Sequence, residues 1–460
     1  MDSDALQDWL DRHHVDVVRT FATTLDGAAV GKYVHRRKFS KSLPEGHAIA
    51  DMAGAMDLTG VPHLTFWHEQ RLGGFGDFFL RPDLSTLISD GTDPDLGHCI
   101  CDFTGPNGEP FDLCSRTLLR KMTNELEREG YRLKIAFELE FYLYTDSFDA
   151  LRRKKYARPN LVTVSPHNNI YMLRNAYPAT RYMSEVISRL EWKGIPWEGW
   201  NDEAGVGQFE LNFEPMDPII AADTLMRTRQ IMFEVARDLE MAVTFMSVPG
   251  DGMGSGTHIH QSLYDVDDNP VFHDPATPSH RSALMDQWIA GLIETLPAAV
   301  SLLCPSINSY RRMRDYTAVP MAPLWGEENK STAIRTLSRT PDATRIEHRL
   351  AAGDVNPYLA VATMIAGGLA GIRNKLELPD EFNKVAWGLP DKYVRLPNTI
   401  SKAIETLRQD TLLHDMLGEA FVEYWAKTRH QEWLFFHTQG GDPESAKVSR
   451  WEYDRYFELL

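Results

Sequence analysis

Four short stretches constrain this chain more than any other feature, because they place charged or hydrogen-bonding residues on alternating positions of segments that read as β-strands. They are Phe137-Glu138-Leu139-Glu140-Phe141, Glu203-Ala-Gly-Val-Gly-Gln-Phe-Glu210, Gly254-Ser-Gly-Thr-His258-Ile-His260 and Arg345-Ile-Glu347-His-Arg349. Strand side chains alternate faces with period two, so Glu138 and Glu140 share one face while Phe137, Leu139 and Phe141 take the other. The same alternation sets Gln208, Glu210 and Asn212 against Phe209, Leu211 and Phe213, and groups His258 with His260 and Arg345 with Glu347 and Arg349. Strands that are apolar on one side and charged on the other separate a core from a polar cavity. Taken singly each stretch is weak: an E-x-E is usually a solvated face, Gly-Ser-Gly-Thr-His is a turn, and a histidine pair is more often hydrogen-bonded in a core or exposed. Only the four in this order carry the reading.

The ligand types narrow the chemistry. Glutamates and a histidine offer oxygen and imidazole, which suits Mg²⁺ or Mn²⁺ better than zinc. Glu138, Glu140, Glu203, Glu210 and Glu347 in one cavity would repel one another unless two or three divalent cations neutralised them. Arg312, Arg335, Arg345 and Arg349 add planar forks that match carboxylate and phosphate oxygens. Metals with arginines point to phosphoryl transfer. No G-x-x-x-x-G-K-[ST] loop occurs, so a nucleotide's phosphates would be held by metals, and Gly254-Ser255-Gly256 would let backbone approach a small ligand closely.

Size and charge fit an enzyme. With 460 residues the chain can bury two or three domains' worth of core, and a net charge of −17 argues against a nucleic-acid surface. Cys99, Cys101, Cys114 and Cys304 form no C-x-x-C pair and read as buried thiols in a reducing cytoplasm. The acidic N-terminus lacks a signal-peptide pattern, and the apolar run from Tyr358 to Ile372 is too short and too rich in Gly and Ala to span a bilayer; it predicts a packed core helix and no membrane association.

The rest of the chain reads as α+β. A helix is predicted over Asp4–His14, then strands over Val15–Thr24 and Ala28–His35 joined at Asp26-Gly27, a hairpin signal. Lys41 to Gly76 lacks periodicity and reads mostly as loop. Turn formers cluster at Thr104-Gly-Pro-Asn-Gly-Glu-Pro110, which puts a domain boundary near residue 110, with domains 1–110 and 111–460. Helices are expected at Ser115–Glu129, Ala221–Leu239 and Ser282–Leu303.

The four stretches, together with Asn308-Ser-Tyr-Arg-Arg312, Asn329-Lys-Ser-Thr-Ala-Ile-Arg335 and Arg345-Ile-Glu-His-Arg-Leu-Ala-Ala-Gly-Asp-Val-Asn-Pro-Tyr358, resemble the glutamine synthetase family from about Val15 to the C-terminus. The resemblance implies a small β-grasp N-terminal domain, a larger catalytic domain whose antiparallel sheet lines the active site, and a ring homo-oligomer, commonly a dodecamer with sites between subunits. It also implies roles. Glu140, Glu203 and Glu210 correspond to ligands of the metal that organises glutamate and the acyl phosphate, and Glu138, His258 and Glu347 to those of the metal on the ATP phosphates. Arg312 would hold the α-carboxylate of glutamate with Gly254 near its amino group, Arg349 would contact the reacting γ-carboxylate, and Arg335, Arg345, His260 and Ser262 would contact nucleotide or phosphate. The implied reaction activates the glutamate γ-carboxylate with ATP and then admits an amine.

Departures from the family pattern bear on that amine. The Asp-Gly-Ser-Ser segment that helps bind ammonium is replaced by Met52-Ala-Gly-Ala-Met-Asp-Leu-Thr-Gly60, and counting from Arg312 to Pro320 puts Ala318 where the flap glutamate would stand. The glutamate loop reads Met253-Gly-Ser-Gly256 without its asparagine, and Trp387-Gly-Leu-Pro390 replaces an adenylylated tyrosine, so no adenylylation control is expected. Losing two acids weakens attraction for a small hydrated cation, and alanine leaves room for a carbon substituent. The pattern is similar to the branch that makes γ-glutamyl amides, with methylamine the first acceptor, then a polyamine or ethanolamine, then ammonia itself, and an inactive structural or regulatory relative as the reading from another class. Phe66, Trp67, Tyr316 and Trp325 are candidate wall aromatics or, equally, ordinary core; Asp57, His68 and Asp315 are candidate proton acceptors.

Overall fold

The computed structural model describes residues 2–63, 76–157, 159–160, 162, 170–250, 252–443, 445 and 447–460. Two sheets organise the described residues. The first begins after a helix, Ser3–Arg12, whose N-cap Asp2 accepts from the Ala5 amide and whose Leu6 and Leu10 pack on Val15, Val18 and Phe39. β1 (Val17–Thr23) and β2 (Ala29–His35) form the expected hairpin, with Gly27 at φ 88° supplying the left-handed residue of the turn. β3 (His47–Ala50), β4 (Asp77–Pro82), β5 (Ile88–Ser89) and β6 (Leu96–Thr104) complete the order β2-β1-β6-β4-β3, with β5 also on β6. β1 and β6 run parallel and the other pairs antiparallel. Part of the stretch read as loop is therefore strand: the four residues of β3 are too few to show an alternation against their surroundings.

The second sheet has eight strands in the order β12-β13-β14-β11-β7-β9-β8, with β10 also on β7. Its members are β7 (Tyr131–Tyr144), β8 (Trp197–Asp202), β9 (Gln208–Phe213), β10 (Ala242–Thr244), β11 (Thr257–Asp265), β12 (Trp325–Glu327), β13 (Ile334–Leu337) and β14 (Arg345–His348). The expected antiparallel sheet is mixed, since β12 and β13 run parallel. Phe137, Leu139 and Phe141 are buried in the main core, as alternation requires, together with Phe209, Leu211 and Phe213. Helices Ser115–Arg128, Pro218–Asp238, Ala283–Leu303 and Pro357–Asn374 lie within two or three residues of their expected limits and share this core. The last two approach so closely that a Cβ on Gly291 would lie 2.1 Å from the Gly367 carbonyl oxygen. No described helix is long and apolar enough to cross a membrane.

Buried arginines join the first sheet and its loops to helices of the remainder of the chain. Arg116 reaches Asp83 and Asp223 at 2.8 Å and Asp102 at 3.0 Å, Arg429 pairs with Asp26, and Arg455 meets Asp57 at 2.7 Å and Glu432 at 2.6 Å. Each would be costly to bury alone, and each is matched by at least one carboxylate. The four cysteines are free and buried.

Candidate active site

The charged face of the second sheet is assembled by register. Glu138 on β7 stands opposite His258 on β11 and Asn212 on β9, and Glu140 stands opposite Glu210. Three of the four stretches extend past their strands. Glu203 follows β8 in the turn to β9, where its amide donates to the Gln208 carbonyl at 2.9 Å, and Gly254–Gly256 is a loop that enters β11. Arg349 lies just beyond β14.

One cavity of about 510 Å³ collects Glu138, Glu140, Glu203, Glu210, His258, Glu347, Gly254, Arg312, Arg335 and Arg349. A second, of about 280 Å³, is lined by His260, Ser262 and Arg345, and Glu138 and Asn212 line both. Every candidate site residue thus borders one of two adjoining spaces, and Glu138 stands between them. His258 Nδ1 lies 3.1 Å from Glu138 and its Nε2 3.5 Å from Glu140, while His260 Nε2 lies 2.9 Å from the other Glu138 oxygen. Ligand-type atoms fall within 4.8 Å of one another in two sets, Glu138–Glu210–His258 and Glu138–His260–Glu347. These sets cut across the grouping that the resemblance implies, because Glu138 belongs to both and His260 joins Glu347.

Electrostatics mark the cavity as short of positive charge at one place and well supplied at another. Burial, then the charge of Glu140, pushes Glu203 up to about 7, and burial with Glu138 and Glu140 pushes Glu210 up to about 8. Burial also opposes ionisation of Glu138, but hydrogen bonds from His258 and His260 outweigh it and hold that carboxyl well below the usual range. Glu347 resists burial in the same way and stays at about 2, with Arg349 its chief partner. For His258, burial and Arg349 disfavour the proton, yet Glu138 and Glu140 raise its affinity overall. A divalent cation would relieve the repulsion around Glu203 and Glu210.

The polar framework is tightly positioned. The Glu140 carboxylate accepts from the Gly256 amide at 2.7 Å and from Gln208 Nε2 at 2.9 Å. Arg312 donates to the Leu350 carbonyl at 2.5 Å, and a Cβ on Gly254 would lie 2.5 Å from its Cβ, so the glycine is needed for that approach. Arg335 bridges Glu347 at 3.0 Å and Glu328 at 2.6 Å, and Arg349 pairs with Glu347. In the second cavity Arg345 Nε donates to His260 Nδ1 at 3.2 Å and Ser262 to the Thr344 carbonyl at 3.3 Å. The Nε atoms of Arg312, Arg335 and Arg349 and the Oδ1 of Asn212 are buried without a hydrogen-bond partner among the described residues. Such groups await an anion or a hydroxyl.

The wall also holds Tyr171, Asn201 and Lys330, to which sequence reasoning gave no role, and Trp387, which it marked only as replacing a tyrosine. Lys330 sits inside the Asn329–Arg335 motif and Asn201 keeps the alternation that ends in Glu203, so both carried a signal. Tyr171 carried none. Among the candidate aromatics, Phe66 and Trp67 lie outside the described residues, as does His68. Trp325 is buried on β12 with its indole donating to the Pro379 carbonyl at 2.8 Å, and Tyr316 is exposed; neither lines the cavity. Asp57 is engaged by Arg455 and by the Thr59 and Val61 amides, and Asp315 by the Gly388 amide and Arg395. Ala318 does line the cavity.

Known families and structures match most of the chain. The family model described as glutamine synthetase, catalytic domain, matches residues 112–456. A glutamate–isopropylamine ligase of Pseudomonas sp. is 30% identical over 99% of this chain and 98% of its own length. A type-1 glutamine synthetase 2 of Dictyostelium discoideum is 29% identical over 96% of this chain and 84% of its length. A solved GmaS–ADP complex superposes with a TM-score of 0.84 at 23% identity, covering 98% of each chain.

Proposed function

Because this chain belongs to the glutamine synthetase family, we propose that it joins the γ-carboxylate of glutamate to a small primary amine through γ-glutamyl phosphate, with methylamine the first acceptor to test. It is an ATP-dependent glutamate–amine ligase. One observation carries the choice of acceptor: the cavity has Ala318 in its wall where the family's ammonium-binding acid would stand. An uncharged wall favours an acceptor with a carbon substituent over a bare hydrated cation.

The side chains fit the divalent ions that the family uses, since oxygen and imidazole donors of Glu138, Glu210, His258, His260 and Glu347 gather within ligand distance in two sets, with Glu140 and Glu203 in the same cavity. Glu140, Glu203 and Glu210 would hold one ion and Glu138, His258 and Glu347 another, with two or three per site. Bound there, Mg²⁺ or Mn²⁺ neutralises the carboxylates and polarises phosphate oxygens.

The chain's own groups do the orienting. Arg312 holds the α-carboxylate of glutamate, with Gly254 near the amino group, its carbonyl also accepting from Gln208 Nε2 at 3.2 Å. Arg349 and Arg335 hold the γ-carboxylate and the transferring phosphoryl oxygens, their unpartnered Nε atoms supporting this. His260, Ser262 and Arg345 contact the nucleotide from the second cavity. A γ-carboxylate oxygen bonds to the terminal phosphorus of ATP as the bond to ADP breaks. The amine, having lost one proton from its ammonium form, then bonds to the acyl carbon; phosphate leaves with the electron pair of the C–O bond, and nitrogen releases a second proton.

The wider reading keeps a β-grasp domain over 1–110 and a catalytic domain over 111–460, supported by the parallel pairing of β1 with β6 and by the start of the family match at residue 112. It also keeps a cytoplasmic homo-oligomer, a dodecamer with shared sites. Four free, buried cysteines accord with a reducing compartment. The deciding experiment measures glutamate-dependent ADP release with ammonium, methylamine, isopropylamine, ethanolamine and putrescine, with mass detection of the product. A γ-glutamyl alkylamide formed in preference to glutamine supports the proposal; a clear preference for ammonium defeats it.

A further inference from the structure

Besides carboxylates and arginines, the cavity wall contains Thr317, Ala318 and Val319 from one loop and Trp387 from another. Trp387 is 40% exposed, although its neighbours Ala386 and Leu389 are buried in a small apolar cluster with Ala322. Its loop is nevertheless fixed on both sides. The Ala386 amide donates to Ser331 Oγ at 2.9 Å, beside Lys330, and the Gly388 amide donates to Asp315 Oδ1 at 3.1 Å. Arg395 then ties Asp315, at 3.3 Å, to the Leu389 carbonyl, at 2.6 Å. Gly388 has φ 58°, a left-handed conformation that glycine adopts without strain, and it lies against the Tyr316 hydroxyl. The backbone on either side of the indole is clamped while the ring stays uncovered at a cavity lip.

A large apolar ring held open to a polar cavity gains from covering by an apolar group. An indole face also attracts a cation, most strongly when water is excluded. The carboxylate of Asp315 is already committed to Arg395 and Gly388, and Lys330 in the same wall is a cation. A second ammonium on a diamine would meet a like charge at Lys330 in this part of the wall.

We propose that Trp387 determines acceptor specificity: its indole receives the alkyl part of a singly charged primary alkylammonium with one compact substituent, and Asp315 and Arg395 are positioning residues that hold the Trp387 loop against the Ala318 loop. This rests on the ligase reading above. The full-length protein and its Trp387→Leu, Trp387→Phe and Asp315→Asn variants are assayed with ammonium, methylamine, isopropylamine and putrescine. Trp387→Leu raises KM for both alkylamines about tenfold, as loss of the ring's apolar cover over the alkyl group should. It leaves KM for glutamate, ATP and ammonium within about twofold, Trp387→Phe recovers most of the loss, and Asp315→Asn moves KM in the same direction by less. Unchanged alkylamine KM in Trp387→Leu, or an equal loss for ammonium and alkylamines, overturns the inference while leaving the ligase reading intact. A wild-type enzyme that uses ammonium alone, prefers putrescine, or uses no amine overturns the acceptor reading and this inference together.

Discussion

The cavity has two unlike parts, and they differ in what holds them. The carboxylate part is built on hydrogen-bonded strands: Glu138, Glu210 and His258 are placed by the registers of β7, β9 and β11, which cannot slip by one residue without turning every charge into the core. The proposed acceptor part is built on two loops, with Ala318 at φ 58° and Trp387 between two clamped neighbours. A rigid sheet suits groups that must meet developing charge at fixed distances, whereas loops can be exchanged without disturbing it. On the proposed reading, the difference teaches that the activation chemistry and the choice of amine are separable in this fold.

The comparison breaks first if the sheet groups are dispensable. Glu210→Ala and Arg349→Ala should each lower turnover roughly a thousandfold with every amine, the scale for loss of one preorganised electrostatic partner, while leaving assembly unchanged by size-exclusion chromatography. Turnover near wild type in either variant, or a loss confined to one amine, would erase the distinction.

The next effect is on metal affinity. Protons and cations compete for Glu203 and Glu210, whose values stand at about 7 and about 8. Apparent Mn²⁺ affinity, read by titration calorimetry, should rise about a hundredfold from about pH 6 to about pH 8 with release of protons. The sign for stability is opposite. These carboxyls bind protons more tightly folded than unfolded, so metal-free protein loses stability as pH rises above their ordinary value of 4.5, with the loss complete above about 8. Saturating metal should remove that slope in thermal unfolding; a metal affinity flat with pH would count against the crowded-carboxylate account.

Gly254→Ala probes the seam between the two parts. The added methyl would need the space of Arg312 Cβ, 2.5 Å away, with the Ser247 carbonyl at 3.3 Å behind it. A displacement of this order should lower kcat/KM for glutamate about thirtyfold, with the same factor for all amines. A change in amine preference instead would show that the acceptor depends on this loop.

Legibility followed the same division. Period-two alternation exposed Glu138, Glu140, His258, His260 and Glu347, because a strand with one wet and one dry face writes its geometry into neighbouring residues. Lys330 lies inside the Asn329–Arg335 motif and Asn201 two residues before Glu203, so both are legible from their neighbours. Trp387 was noticed as a replaced tyrosine, but nothing local tells that a residue 75 positions after Arg312 returns to the same cavity. The hydrogen bonds that bring it there, to Ser331 and Asp315, are long-range and have no period. Asp57 illustrates the converse. It looked chemically available in the sequence, yet its carboxylate is spent on Arg455 and on the amides of Thr59 and Val61, holding the first sheet to the C-terminal helices.

The smallest expected effect is the most discriminating. Ala318→Glu returns an acid to the acceptor wall at a residue that already tolerates a positive φ, so the backbone needs no new strain. A carboxylate about 4 Å from an ammonium gains at most about 4 kcal/mol near a protein surface, and solvent reduces that sharply. The ratio of kcat/KM for ammonium over methylamine should therefore rise only about tenfold, while turnover with saturating glutamate and ATP stays within about threefold of wild type. If the ratio does not move, the missing acid at position 318 does not set acceptor choice, and the discrimination lies with the indole of Trp387. If the ratio rises and the combined Ala318→Glu, Trp387→Leu variant gives the product of the two single effects, the loops act as independent filters. A combined effect smaller than that product would mean that acid and indole compete for the same ammonium group, which is the arrangement expected of two walls facing across one small site.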